Sequence, residues 1–191
     1  MTKIGLCITG SFCTFKSILN AIDDLVAHDF DITPIFSFNV STLDTRFFKQ
    51  ADFERLVVEK TGKQPIKTIV DAEPIGTSKG LELMLVAPCT GNTLAKIAHG
   101  ITDTPVTMAV KAQLRNNRPV VLSVSSNDAL GANARNIGAL LNTKNIYFVP
   151  FGQDAPTKKT NSLIADTTLI VPACREALTG RQMQPALTVL N

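Results

Sequence analysis

Hydroxyls, amides and glycines gather at three places in this chain, each directly after a run apolar enough to be a buried strand. Gly10-Ser11 follows Lys3 to Thr9, Thr90-Gly91-Asn92-Thr93 follows Leu83 to Ala87 and Pro88, and Ser126-Asn127-Asp128 follows Pro119 to Ser125. A further hydroxyl, Ser37, stands just past Asp31 to Phe36. After Thr93 the apolar residues fall at helical spacing, Leu94, Ile97, Ala98 and Ile101, so this stretch reads as strand, polar turn and helix N-terminus. Free backbone N–H groups and the helix dipole converge at such a point, which is where α/β proteins place a phosphate or a cofactor. The same pattern suits an ordinary helix cap by Thr90 or Asn92 with nothing bound. Pro88 is expected to stop its strand, because it lacks a ladder donor.

Few other residues offer chemistry. There are four cysteines and two histidines. Cys7 lies within a strand and reads as a small buried hydrophobe. Cys13 and Cys89 stand at strand-to-helix turns, as active-site thiols sharing one pocket or as buried residues. No C-x-x-C pair occurs, so no metal site is expected. His28 falls in the last turn of the first helix, where a cation suits the dipole, and reads as surface.

The elements that must position these residues alternate. Helices are expected over about Thr14 to His28, Arg46 to Lys60, Thr104 to Asn116 with Asp103 as its cap, Leu130 to Leu141 and Ile164 to Leu178. Strands are expected at Lys3–Thr9, Asp31–Phe36, Ile66–Val70, Leu83–Ala87, Pro119–Ser125 and Ile146–Val149. Pro34 puts the second near the sheet edge. Asp71 to Gly80 and Pro150 to Asn161 read as loops. This is the pattern of an α/β protein: a three-layer, Rossmann-like, doubly wound parallel sheet of about six strands in the order 3-2-1-4-5-6. The crevice of such a sheet lies between the first strand and the one ending at Ala87, so the polar turns would converge at one edge. The glycine fingerprint G-x-G-x-x-G is missing after the first strand, which disfavours a standard NAD fold. A ligand with one phosphate, held by hydroxyls and backbone, fits better, and FMN is the natural candidate.

Composition excludes several classes. Net charge is +3 and hydrophobic residues make up 45% of 191, so a globular core is expected. Lys and Arg form no block, which gives no nucleic-acid signal. No apolar run reaches the roughly 20 residues of a membrane helix, and the chain opens directly into a strand without a secretion signal. A cytoplasmic protein is expected.

Gly10-Ser11, Ser37 and Pro88 to Thr93 resemble the FMN-binding motifs of the homo-oligomeric flavin-containing cysteine decarboxylase family. The decarboxylase motif P-A-S-A-N-T is matched at Pro88, Asn92 and Thr93. The prenyltransferase motif P-C-S-M-K-T is followed by helix and strand segments similar to Leu94–Asp103 and Leu114–Leu122. Neither branch is matched fully: no histidine stands where the decarboxylases have theirs, and Ser125 and Asn92 replace the prenyltransferase arginine and lysine. The B subunits of dipicolinate synthase are similar nearly end to end, through Thr9–Thr14, Asp44–Phe47, Ala87–Thr93, Ile101–Val106, Leu114–Leu122, Thr143–Asp154 and Gln184–Leu187. Phe12 stands where that branch has histidine.

The resemblance implies one flavoprotein-like domain over 1–180, with a C-terminal arm at 181–191. It implies bound FMN, a dipicolinate synthase A subunit as partner, a small dicarboxylate as substrate, and a trimer or dodecamer. The implied reaction is oxidation of dihydrodipicolinate to pyridine-2,6-dicarboxylate during sporulation. Alternatives are a non-catalytic partner of the A subunit, or a decarboxylase or prenyltransferase of the same fold. FMN-binding residues would be Gly10, Ser11, Phe12, Ser37, Thr90, Gly91, Asn92, Thr93, Ser125, Ser126 and Asn127, with Asn92 and Cys89 catalytic. Arg46, Lys111, Arg115 and Lys158 are candidate cations for the dicarboxylate.

Overall fold

The longest buried runs of the sequence become the central strands. In the computed structural model, which describes residues 1–77 and 80–189, the elements in chain order are β1 (Thr2–Ile8), α1 (Phe15–Ala27), β2 (Phe30–Phe36), α2 (Phe38–Thr42), α3 (Gln50–Thr61) and α4 (Ile69–Ala72). Then come β3 (Leu83–Cys89), α5 (Gly91–Ala98), α6 (Pro105–Arg115), β4 (Val120–Ser126) and α7 (Ala134–Leu141). The chain finishes with β5 (Ile146–Phe148), β6 (Phe151–Gln153), β7 (Leu163–Ala165) and α8 (Ile170–Leu178). Every residue of β3 is buried, as expected of a parallel strand covered on both faces. Gly5 of β1 pairs with Met84 of β3, and a Cβ there would lie 2.6 Å from the Met84 sulfur, so the two strands need glycine at that point.

The sheet runs β2-β1-β3-β4-β7-β6, with β5 pairing alongside β4. The β2, β1, β3, β4 and β5 pairings are parallel, and this part follows the expected order closely. The expected third strand is reduced to a single bridge, Ile35 to Ile66. It ends early because Thr68 accepts the Asp71 N–H and starts α4 at Ile69. Pro34 does lie in β2, beside that minimal edge.

Pro88 does not end β3. The strand passes through a cis Ala87–Pro88 bond to Cys89, with its register against β4 shifted between Val86 and Cys89. A proline is tolerated where the ladder is already irregular. The segment expected to be helical from Ile164 instead contributes β7, and α8 begins only at Ile170. Asp166 caps a short turn at Thr168 between them, and Pro172 sits in the first turn of α8, where a missing N–H costs nothing. The expected loop after Pro150 holds β6, which pairs antiparallel with β7, as β7 does with the end of β4. Helix α3 starts at Gln50, whose N–H is accepted by Asp44, and α7 starts at Ala134. The tail folds back along β6, where Phe151 exchanges backbone bonds with Ala186 and Thr188.

Candidate phosphate cleft

One hydroxyl ties the ends of β1 and β3 together. Thr9 Oγ1 donates to the Pro88 carbonyl at 2.6 Å and accepts the Thr90 N–H at 3.1 Å, and the residue is 1% exposed. Beyond β1 the chain turns through Gly10 and Ser11. Beyond β2, Ser37 donates its N–H to the Ile8 carbonyl and opens α2. Beyond β3, Thr90 caps α5, with its Oγ1 accepting the Thr93 N–H at 3.3 Å. The first N–H groups of a helix have no partner within it, so the amides at Gly91 and Asn92 are left for water or a ligand.

These ends enclose a cleft of about 280 Å³. Thr9, Gly10, Ser37, Phe38 and Asn39 line it from one side, and Thr90, Asn92, Thr93, Lys96 and Thr104 from the other. Ser37 Oγ is buried and has no hydrogen-bond partner among the described residues. A buried hydroxyl without a partner costs about 1–3 kcal/mol, which a ligand acceptor or donor would recover.

The other predicted positions lie elsewhere. Ser11 Oγ bonds Ser125 Oγ at 2.7 Å, joining the β1 turn to the end of β4. Ser126 donates to Asp128, which accepts from Asn133 at 2.9 Å, and Asn133 accepts from Asn136 at 2.9 Å. Ser162 donates to Asn127 at 3.4 Å. Gly91 is pressed against this network: a Cβ there would meet Asn133 Nδ2 and Ser126 Oγ at 2.6 Å. Packing therefore demands glycine at position 91, whatever its amide does. The ring of Phe12 packs on Phe15, with centroids 5.2 Å apart, and does not line the cleft.

The two turn cysteines do not share a pocket. Cys13 is exposed, whereas Cys89 is fully buried, and burial pushes its thiol up. Of the candidate cations, Arg46 stacks on Phe47 at 4.8 Å, and Lys111 and Arg115 line an apolar groove beside α6. Lys96 does line the cleft and was missed. It lies four residues after Asn92 and three after Thr93, so helical spacing could have found it.

A mostly parallel α/β sheet with a hydroxyl-lined cleft at its strand ends defines the class. The chain belongs to the Flavoprotein family, whose model matches residues 1–174. Within that class it is a homologue of the B subunit of dipicolinate synthase. Identity to that protein of Bacillus subtilis (strain 168) is 45% over 185 residues, 97% of this chain and 92% of the relative. The crystal structure of the dipicolinate synthase B subunit from Bacillus halodurans C superposes with a TM-score of 0.91 at 41% identity, covering 98% of this chain and 96% of that one. A dodecameric FMN-dependent UbiX-like decarboxylase from Escherichia coli O157:H7 shares the fold, with a TM-score of 0.63 at 21% identity over 78% of this chain and 80% of that one. No helix of the described residues is long and apolar enough to cross a membrane.

Proposed function

We propose that this chain is the FMN-binding B subunit of a dipicolinate synthase, acting with an A subunit to oxidise dihydrodipicolinate to pyridine-2,6-dicarboxylate in the cytoplasm of a sporulating cell. The observation that carries the flavin reading is Ser37 Oγ, buried without a partner in a cleft made of strand ends and a helix N-terminus. The donor set fits a phosphate: the Ser37 hydroxyl, one hydroxyl proton of the Thr90–Thr93 pair, whose Oγ1 atoms bond each other at 3.1 Å, the Asn92 side chain and the first amides of α5. Gly10 would add its backbone to that set, since it lines the cleft. Bound FMN would supply the acceptor for a hydride and so the redox chemistry.

The chain's own part is binding and orientation. Thr9 fixes the distance between the β1 and β3 turns, and the Ser11–Ser125 bond carries that alignment to β4. Asn92 would meet both ligand and solvent, since it lines the cleft and is exposed on the first turn of α5. Cys89 is left out of the chemistry by its burial. Subunits would assemble as a trimer or dodecamer, as the dodecameric relative suggests for this fold. A second reading, a non-catalytic partner of the A subunit, is favoured by Phe12, whose ring joins the Phe15 cluster where a histidine could have handled protons.

The test is a visible absorbance spectrum of the purified chain after incubation with FMN and desalting, then addition of dihydrodipicolinate with and without the A subunit. Retained flavin that is bleached by the substrate supports oxidation. Retained flavin that is never bleached leaves the partner reading. No retained flavin overturns both the cofactor and the reaction.

A further inference from the structure

The cleft holds one side chain whose charge the hydroxyl donors do not explain. Among the described residues that line it, Lys96 is the one with a charge. It shares a face of α5 with Asn92 and Thr93, which also line the cleft. Its side chain is 22% exposed, and its Nζ lies 2.8 Å from both carboxylate oxygens of Asp103. Asp103 is 56% exposed and precedes Thr104, another lining residue. An ammonium has three donors, and two on Asp103 leave a third.

We propose that Lys96 is the cation of a phosphate subsite in this cleft, and that Asp103 competes with the phosphate for it. The inference rests on the flavin reading and adds a residue to it. A phosphomonoester brings close to two negative charges, and hydroxyls and amides bring no net charge to meet them. In a partly covered cleft an ammonium attracts and a carboxylate repels that group more strongly than in open water. The two members of the pair therefore act on a phosphate in opposite directions. If the pair only tethered α5 to the loop before α6, removing either member would act in the same direction.

FMN and riboflavin differ by the phosphate alone, so the ratio of their dissociation constants isolates this subsite from the ring. Both are titrated by flavin fluorescence against wild type, K96Q, K96R and D103N, each checked for folding by far-UV circular dichroism. K96Q is expected to weaken FMN about tenfold, the size of one charge-assisted bond, and to leave riboflavin unchanged. K96R keeps the FMN preference. D103N tightens FMN by a few-fold and leaves riboflavin unchanged, and this arm stands even if K96Q does not fold. An unchanged ratio in K96Q, FMN weakened alike by K96Q and D103N, or a wild type that binds riboflavin as well as FMN overturns the subsite while the flavin reading survives. A wild type that binds neither flavin sinks that reading, and the subsite with it.

Discussion

Two polar clusters stand at the carboxyl ends of the parallel strands, and their hydrogen bonds go to different places. At the end of β4, Ser126, Asp128, Asn133 and Asn136 satisfy one another, and Asn127 is met by Ser162. Between β1, β2 and β3, Thr9 donates to Pro88 and the Thr90 and Thr93 hydroxyls bond each other, but Ser37, which lines the cleft, keeps a buried hydroxyl without a partner. Residue type does not separate the two, since serine and asparagine occur in both. The destination of each donor does. A closed network contributes stability and fixes an edge of the cleft, whereas an open one costs stability until a ligand completes it.

Substitutions on each side should break that contrast in opposite ways. The largest effect is expected for Gly91→Ala, which pushes a methyl group within 2.6 Å of two network atoms and 2.7 Å of Asp128 Oδ1. Overpacking of this kind costs about 1–3 kcal/mol, read as a lower midpoint in urea. Asn133→Ala, at a residue 6% exposed, removes one partner each from Asp128 and Asn136 and should cost about 1–3 kcal/mol in the same assay. Ser37→Ala should do the reverse, leaving the stability read in that assay unchanged or raised by up to about 1 kcal/mol because an unsatisfied hydroxyl is removed.

A smaller effect sharpens the chemistry on the open side. With a thiol reagent, Cys13 should react in the native protein, and Cys7, Cys89 and Cys174 only on unfolding, since burial both covers them and pushes their thiols up. Rapid loss of the Cys89 thiol in the folded protein would return it to the list of reactive groups.

The smallest effect is electrostatic. The hydrogen bond from Lys96 holds the Asp103 carboxyl below its ordinary value, with their charge attraction adding to it. A depressed carboxyl contributes stability above its unfolded value and loses it as the pH falls through its folded one, so this contribution fades only in acid. Asp103 is exposed, so the change in stability should be slight. Its titration, followed by carboxyl NMR, should move up toward the ordinary range in K96Q.

Much of the fold could be read before any coordinates. Leu83 to Cys89 and Val120 to Leu122 are continuous apolar runs, and a parallel strand covered on both faces leaves little else for such runs to be. The short antiparallel pair β6 and β7 was not legible, because three residues carry no period. Ile66 to Val70 looked like a strand because local β propensity says nothing of the Thr68 cap that starts a helix there. In the cleft, Gly10, Ser37, Thr90, Asn92 and Thr93 were visible from their places after strands. Lys96 was not, because its role depends on the loop that brings Asp103 and Thr104 beside α5. Asn127 looked like a ligand donor because its partner Ser162 is brought in by tertiary structure, whereas Asp128, which takes the Ser126 hydroxyl, stood two residues along and could have been read.

The claim that the open cluster is a flavin phosphate site is tested most directly by FMN titration of wild type and Ser37→Ala side by side, with their thermal midpoints. The account predicts saturable binding to wild type, affinity about tenfold lower in Ser37→Ala, and a midpoint for that variant equal to or above wild type. Equal FMN affinity in the two proteins, or no binding to wild type, would contradict it.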